Sequence, residues 1–397
     1  MDMGNKAWME ADAAGKVEEV LIVDDTSLFL RLLSQILTEH GYRVRAATSG
    51  ARALESARAS PPDLILLDIR MPELSGFDVC ERLKEWPATR DVPVIFISAL
   101  DDVQDKVRAF RTGGVDYITK PFQIDEVLAR VETHLALRKL QQQLLDANRR
   151  YERELALAGQ VQRSFLPHSI PDIPGWEIAA RLVPSRETSG DFYDLIPLPE
   201  GRWGIVIGDV ADKGAGAALF MALNWSLIRT YLAIYPSQPA RALEVVNRRI
   251  LQDTLADQFV TAFVGVLDPV TGILEYGSAG HCPALLVRGC GEVQRLELTG
   301  MALGVREDEN WEQQRIPFDV GDLLVVYTDG VTEARNRQDA LFRLERLQRA
   351  AEGGRRRGAT GVVDQILADV NAFTEREHLE DDIALIVLER VADLFPR

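Results

Sequence analysis

The chain has 397 residues, 46% of them hydrophobic and 27% charged, with a formal net charge of −16. At about 100–200 residues per domain this length calls for two or three domains, and the composition is that of a folded protein rather than a disordered one. The acidic balance opposes general nucleic-acid binding, no run of about 18 apolar residues proposes a membrane span, and Cys80, Cys282 and Cys290 form neither a zinc pattern nor a disulfide framework.

The opening twenty residues lack an apolar core of signal-peptide length, and together with the cysteine usage this leads us to expect a reducing cytoplasm. From Val20 the pattern alternates strand and helix. Val20–Val23 is a short apolar run ending in Asp24-Asp25, and Leu28, Leu32, Leu33, Ile36 and Leu37 follow at helical spacing until Gly41. Tyr42–Ala46, Leu64–Leu67, Val94–Ile97 and Val115–Ile118 read as further strands. Ala51–Ala59, Phe77–Trp86 and a stretch ending at Arg111 read as the helices between them.

Five such units in series predict a parallel sheet covered on both faces. Active groups of such sheets gather at the carboxyl ends of the strands, and there stand Asp24, Asp25, Asp68, Ser98 and Lys120. Three carboxylates at one edge repel one another unless a cation lies between them. Mg²⁺ suits that place, because it takes one or two carboxylates and phosphate oxygens. A lysine beside it would neutralise a phosphoryl group. Taken singly, Asp24-Asp25 is a helix cap, Asp68 a turn residue and Lys120-Pro121 a plain loop. Their coincidence at strand ends favours the functional reading.

The motifs LIVDD, LLDIRMPELSGFD, VIFISA and DYITKPF, in that order, resemble the response-regulator receiver family. The resemblance implies that Asp68 is the phosphoacceptor. It implies that Asp24, Asp25 and Asp68 hold Mg²⁺ with the main-chain carbonyl of Arg70. Ser98 would then sense the phosphoryl group, Lys120 would be its charge partner, and Tyr117 the aromatic switch.

Beyond Pro121 the pattern stays helical for roughly 40 residues, long for a globular helix. Leu137, Leu140, Leu144, Ala147, Tyr151, Leu155, Ala158, Val161 and Phe165 recur at steps of three and four, a heptad-like seam. We expect a parallel homodimeric coiled coil. The alternative is a helix packed on its own domains, and Asn148, Gly159 and Gln162 near the seam make the zipper imperfect. Leu166-Pro167 ends the helix.

The second half reads as strands in runs: Trp176–Leu182, Gly190–Pro197, Trp203–Val210, Phe263–Asp268, Ile273–Ala279, Ala284–Arg288, Leu323–Thr328 and Ile383–Leu388. Helical patterns cover Ala217–Tyr235, Pro239–Leu255 and the region around Gly361–Phe373. Short turns between successive strands imply antiparallel pairing, and the helices between runs suggest packed sheets with helical covers. Asp191, Asp194, Asp209, Asp329, Asp381 and Asp382 lie at strand ends with no histidine cluster. That donor set points to Mg²⁺ or Mn²⁺ rather than zinc, and two such ions could clamp a phosphate oxygen.

GDFYD, GDVADKGAGAAL, AGHCP, YTDGVTEA and DDIALIVL resemble the metal-dependent serine/threonine phosphatase (PPM) superfamily, in its bacterial sporulation and general-stress branch. VQRSFLP resembles that branch's entry into the catalytic domain. The resemblance implies that Asp209 bridges two metals with the Val210 carbonyl as an extra ligand. Asp329 and Asp381 would hold the first metal, and Asp191 the second. In the pairs Asp191/Asp194 and Asp381/Asp382, one carboxylate either ligates too or supports its neighbour. The implied reaction is direct in-line attack by activated water on a phosphoserine or phosphothreonine, with no protein nucleophile. Ala211 stands where eukaryotic relatives place a candidate general-acid histidine. His281 and Lys213 read as loop-shaping residues.

The expected architecture is therefore an α/β receiver with a five-stranded parallel doubly wound sheet, a helical linker, and an α+β PPM-type sandwich of two antiparallel sheets flanked by helices. We place an N-terminal extension at 1–17, the receiver at 18–124, the linker at 125–166, the phosphatase at 167–391 and a tail at 392–397. The expected protein is a response regulator in which Asp68 phosphorylation by a cognate histidine kinase controls a protein phosphatase. By family analogy its substrate is a phosphorylated anti-sigma factor antagonist, with no nucleic-acid or membrane partner. The rival is a non-catalytic adaptor that grips a sigma factor or its regulator under receiver control.

Overall fold

A computed structural model of the chain describes residues 17–99, 103–254, 258–375 and 379–392. The expected N-terminal extension and tail lie almost wholly outside the described residues. The chain divides into two compact units between Arg149 and Arg150.

The first unit runs β1 (Glu19–Val23), α1 (Ser27–Glu39), β2 (Arg43–Ala47), α2 (Gly50–Ala59), β3 (Leu64–Asp68), α3 (Gly76–Glu85), β4 (Val94–Ser98), α4 (Val103–Arg111) and β5 (Asp116–Thr119). The strands pair in parallel in the order β2-β1-β3-β4-β5. β3 and β4 are buried along their whole length, which is why LILLD and VIFIS read as unbroken apolar runs rather than alternating ones. One face of the sheet packs Leu21, Ile65, Leu67 and Phe96 against Phe77, Val79 and Leu83 of α3. The other packs Val20, Leu66 and Ile97 against Leu30, Leu33 and Leu37 of α1. A capping box starts α3: Ser75 Oγ accepts from the Asp78 amide and the Asp78 carboxylate accepts from the Ser75 amide.

α5 (Ile124–Arg163) is a single 40-residue helix. Its first turns belong to the receiver core through Val127, Leu128, Val131 and Leu135. They are also tied to β5, since Asp116 accepts from Arg130 Nη1 at 2.5 Å and lies 3.1 Å from His134 Nε2. Leu137, Leu140, Leu144, Tyr151 and Val161, five members of the expected seam, are exposed. The division between the units falls inside this helix, so the linker expected over 125–166 is shared between them.

The second unit continues with β6 (Trp176–Val183), β7 (Phe192–Pro197), β8 (Trp203–Val210), α6 (Ala215–Ile234), α7 (Pro239–Asp253), β9 (Val260–Asp268), β10 (Ile273–Ala279), β11 (Leu285–Val287), β12 (Val293–Arg295), β13 (Gln314–Pro317) and β14 (Leu323–Tyr327). It closes with α8 (Asp329–Thr332), α9 (Leu344–Gly354), α10 (Gly358–Thr374) and β15 (Ile383–Arg390). Two antiparallel five-stranded sheets form, in the orders β13-β10-β9-β8-β7 and β12-β11-β14-β15-β6. Their inner faces meet through Ile205, Ile207, Phe263, Leu324, Ile386 and Leu388, and Phe263 stacks on Tyr276 with centroids 5.3 Å apart. α6 and α7 cover the first sheet through Phe220, Met221, Ile228, Leu243 and Val246. α9 and α10 cover the second through Leu347, Val362, Ile366 and Val370. Each layer thus buries its apolar face on a neighbour.

The expected α+β sandwich is what forms. Four of its elements, β12, β13, α8 and α9, escape the sequence reading. β12 and β13 are edge strands of three and four residues, mostly exposed, too short to show an alternation. α9 starts without a side-chain cap, so its start signal is weak. α6 is by length and composition apolar enough to cross a membrane; in this fold Ala217, Phe220, Met221, Ile228 and Leu232 of that helix are buried in the core of the sandwich.

Candidate functional site

In the receiver the strand ends bring together three charged side chains. Asp24 follows β1 and is buried, its Oδ1 accepting from the Thr26 amide at 2.8 Å. Asp68 ends β3 and is also buried. Lys120, one residue past β5, reaches both, with Nζ 2.6 Å from Asp24 Oδ2 and 2.9 Å from Asp68 Oδ1. Burial pushes the Asp68 carboxyl above the usual range, against the hydrogen bond and charge of Lys120 and with a contribution from the Asp24 charge. Burial depresses the Lys120 ammonium, but its two carboxylate partners outweigh this and leave its pKa above the ordinary lysine value.

The other receiver residues surround this knot. Asp25 is exposed beside it, accepting from Thr26 Oγ1 at 3.3 Å. The Arg70 main chain donates to Asp68. Ser98 is fully buried at the end of β4, and its carbonyl accepts from the Lys120 amide at 2.8 Å. Tyr117 on β5 is buried, with Lys106 Nζ 5.8 Å from its ring centroid. Gly76 carries a constraint that the sequence reading left as a turn: a Cβ there would overlap the Asp68 carbonyl oxygen. Five of the six side chains proposed for the receiver therefore lie on or just past strand ends, and the sixth, Tyr117, lies within β5.

In the second unit Asp191 precedes β7, Asp209 lies near the end of β8, Asp329 follows β14, and Asp381 and Asp382 precede β15. Antiparallel pairing sets Phe192 opposite Gly208 and Tyr327 opposite Leu385, so these ends share one edge of each sheet. Thr328 Oγ1 bridges the two sheets by donating to Asp191 Oδ2 at 2.6 Å and accepting from the Ala384 amide at 2.8 Å.

The electrostatics follow from packing acids together. Burial raises Asp191 well above the carboxylate range, and the Asp209 charge raises it further. Asp209 is pushed up to about 6 by burial and by the charges of Asp329, Asp381 and Asp382. Burial, Asp381 and Glu333 raise Asp329 against the Gly330 amide and Lys213. Lys213 Nζ lies 2.9 Å from Asp381 Oδ1 and donates to the Glu380 carbonyl at 2.8 Å.

Two carboxylates have other work. Asp194 is paired with Arg229 at 2.5 Å and accepts from the Leu195 amide at 2.9 Å. Asp382 accepts from the Ser185 amide and hydroxyl and from the Gly190 amide, at 2.7, 2.8 and 2.8 Å. His281 is buried, its Nδ1 2.9 Å from Thr261 Oγ1, and Thr261 is the strand partner of Asp209. Burial lowers the imidazole to about 4, so it is neutral near pH 7 and supports β9 rather than carrying charge.

Among the described residues no three His, Cys, Asp or Glu side chains form a finished metal-ligand group. The donor set nevertheless fits hard divalent cations. Asp191, Asp209 and Asp329 offer only oxygen donors and are raised together by burial and by neighbouring carboxylates, and an oxygen-seeking ion would relieve that repulsion. Gly190 leaves room for the Val210 carbonyl, which would lie 3.0 Å from a Cβ at that position.

Fold and site together define a receiver followed by a PPM-type phosphatase sandwich. Residues 20–132 match the family described as response regulator receiver domain, and residues 199–391 match that described as Stage II sporulation protein E (SpoIIE). The chain is 30% identical over 263 residues to the phosphoserine phosphatase RsbU of Bacillus subtilis, covering 65% of this chain and 74% of that protein. It is 33% identical over 265 residues to Protein IcfG of Synechocystis, covering 60% of this chain and 41% of that protein. The chain thus spans well under two thirds of IcfG. The SiaA-PP2C domain of Pseudomonas aeruginosa superposes with a TM-score of 0.54 at 20% identity, over 61% of this chain and 98% of that one, a likeness of fold. The chain belongs to the SpoIIE-type PPM phosphatase family together with RsbU, and carries a receiver domain ahead of the phosphatase domain.

Proposed function

We propose that this protein is a response regulator whose output is a metal-dependent protein serine/threonine phosphatase. The observation that carries the reading is the convergence of Asp191, Asp209 and Asp329, from three strand ends of two sheets, into one cluster that raises its own pKa values. Asp209 would hold two Mn²⁺ or Mg²⁺ ions with the Val210 carbonyl, Asp329 and Asp381 one of them, and Asp191 the other. When bound, such ions supply an activated water and neutralise charge on a phosphate oxygen. Asp382 and Thr328 hold the ligand loops in place, and Asp194 anchors β7 to Arg229. With Ala211 where a histidine could act, the leaving serine or threonine oxygen takes its proton from water.

In the receiver, Asp68 would accept a phosphoryl group from a cognate histidine kinase, with Mg²⁺ on Asp24, Asp25, Asp68 and the Arg70 carbonyl. Lys120, freed from its pairing with the Asp68 carboxylate, would then face the phosphoryl charge, and Ser98 and Tyr117 would shift the receiver between two states. The exposed seam of α5 supports a homodimer through that helix. By the family resemblance, the substrate is a phosphoserine or phosphothreonine on an anti-sigma factor antagonist, in the cytoplasm.

The test is a phosphoserine-bearing antagonist offered to the purified protein with Mn²⁺. Loss of protein-bound phosphate, faster or slower with beryllofluoride on the receiver, is the expected result. Tight binding with the phosphate intact would instead support the adaptor reading.

A further inference from the structure

The last turn of α5 is fastened to the loop that carries Asp191. The Gln162 side chain is buried, and its amide closes a two-point clamp on one peptide unit: Oε1 accepts from the Ser189 amide at 2.9 Å, and Nε2 donates to the Ser189 carbonyl. Ser189 passes this hold on. Its hydroxyl accepts from the Asp191 amide at 3.0 Å and donates to the Asp191 carbonyl at 3.2 Å. Between them, Gly190 is held by Asp382 through its amide.

The surrounding packing keeps the clamp in register. Gly159, one turn before Gln162, lies against the Glu187 carbonyl so closely that a Cβ would overlap it. Phe165, just past the helix, stacks on Trp225 of α6 with centroids 5.2 Å apart. Trp225 also faces the Arg229 guanidinium that pairs with Asp194. A buried side-chain amide with both its donor and its acceptor spent on one peptide group fixes that peptide in position and orientation.

We propose that Gln162 is a positioning residue of the phosphatase: through Ser189 it sets the place of the Asp191 carboxylate, and with it the affinity of the second metal position. The proposal rests on the metal-dependent reading above. It assigns to α5 a contact with the catalytic loop that the amphipathic pattern of the helix does not suggest, since Gln162 reads there as an interruption of the seam. The outer ligands of a metal site typically tune affinity by about 10–100-fold, and Gln162 acts one step further out, through a hydrogen-bonded backbone.

The experiment uses the full chain and Mn²⁺ as the probe. Mn²⁺ binding is read directly by calorimetry or by the free-ion electron paramagnetic resonance signal, and hydrolysis of a generic phosphate ester is followed across Mn²⁺ concentration. Gln162→Met keeps the volume and removes the clamp; Ser189→Ala keeps the clamp's peptide and removes the hydroxyl link. Both are expected to weaken Mn²⁺ binding on the order of tenfold. Saturating Mn²⁺ should restore most of kcat, and the melting temperature in chelator should change little. Unchanged Mn²⁺ affinity in folded Gln162→Met overturns the proposal, and if that variant does not fold, unchanged affinity in Ser189→Ala does so. If the unaltered protein itself binds no Mn²⁺ and hydrolyses nothing, the phosphatase reading is what fails.

Discussion

The Thr328 hydroxyl donates a 2.6 Å hydrogen bond to Asp191 Oδ2 across 137 residues of chain, and so ties the end of β14 in one sheet to the start of β7 in the other. A buried carboxylate left without that donor is costly, and the Ala384 amide would lose its acceptor as well. Thr328→Val keeps the shape and removes the hydroxyl. It should lower stability by about 1–3 kcal/mol and weaken Mn²⁺ binding by about 10-fold or more. Denaturant unfolding and Mn²⁺ titration check the two effects separately.

Gly330 opens the short helix behind Asp329, and a Cβ there would overlap the Asp382 carbonyl oxygen. Because the obstacle is backbone, it cannot swing aside. Gly330→Ala should therefore displace both aspartates, destabilise the second unit by about 1–3 kcal/mol and remove most metal-dependent hydrolysis. Gly353→Ala, where the nearest neighbour outside its own helix is the Gln365 side chain at 3.9 Å, is the matched control and should leave hydrolysis unchanged.

Asp322 sets a pH dependence. Burial raises its carboxyl, but the Asp319 amide, the Arg288 guanidinium at 2.7 Å and the Gly289 amide outweigh this and leave it below the usual range. A carboxylate whose folded pKa is depressed stabilises the fold at pH values above its unfolded pKa, near 3.9, and loses that contribution as pH falls through the lower folded value. Asp322→Asn should thus be less stable than the unaltered protein at pH 7. The gap should narrow as the pH falls below about 4. Urea unfolding across pH 3–7 reads this directly; a gap independent of pH would mean that the Arg288 pair contributes nothing through charge.

The exposed seam of α5 predicts association. Leu144 is 64% exposed and Tyr151 65% exposed, and two copies burying such residues would gain about 25 cal/mol per Å² of apolar surface. Leu144→Asp should convert a dimer into a monomer in light scattering. A monomer already present without the substitution would remove the coiled-coil part of the proposal and leave the two sites untouched.

Much of this architecture was legible in the sequence because its signals are local. β1, β3 and β4 are short apolar runs that stop at Asp24, Asp68 and Ser98, so both the strands and their functional ends show together. Asp209 and Asp329 likewise stand at the close of strands β8 and β14. What was not legible depends on contacts far apart in the chain. Thr328 looks like one more β-branched residue until Asp191 is brought to it, and Gln162 looks like a polar fault in a zipper until Ser189 folds against it. The partners of Asp194 and Asp382 were hidden too, because spacing alone cannot tell which carboxylate Arg229 or the Ser185 amide will claim. α9 went unread because a helix that starts without a cap gives no start signal, although Leu347, Ala350 and Ala351 bury well.

The most direct test of the central claim is hydrolysis of a generic phosphate ester by the full chain with Mn²⁺, with Mn²⁺ plus chelator, and with Asp209→Asn. The account predicts turnover that needs the metal and falls by a factor of about 100 or more in Asp209→Asn, consistent with loss of a group on which a charged transition state depends. Turnover that persists in Asp209→Asn, or that ignores chelator, would contradict it.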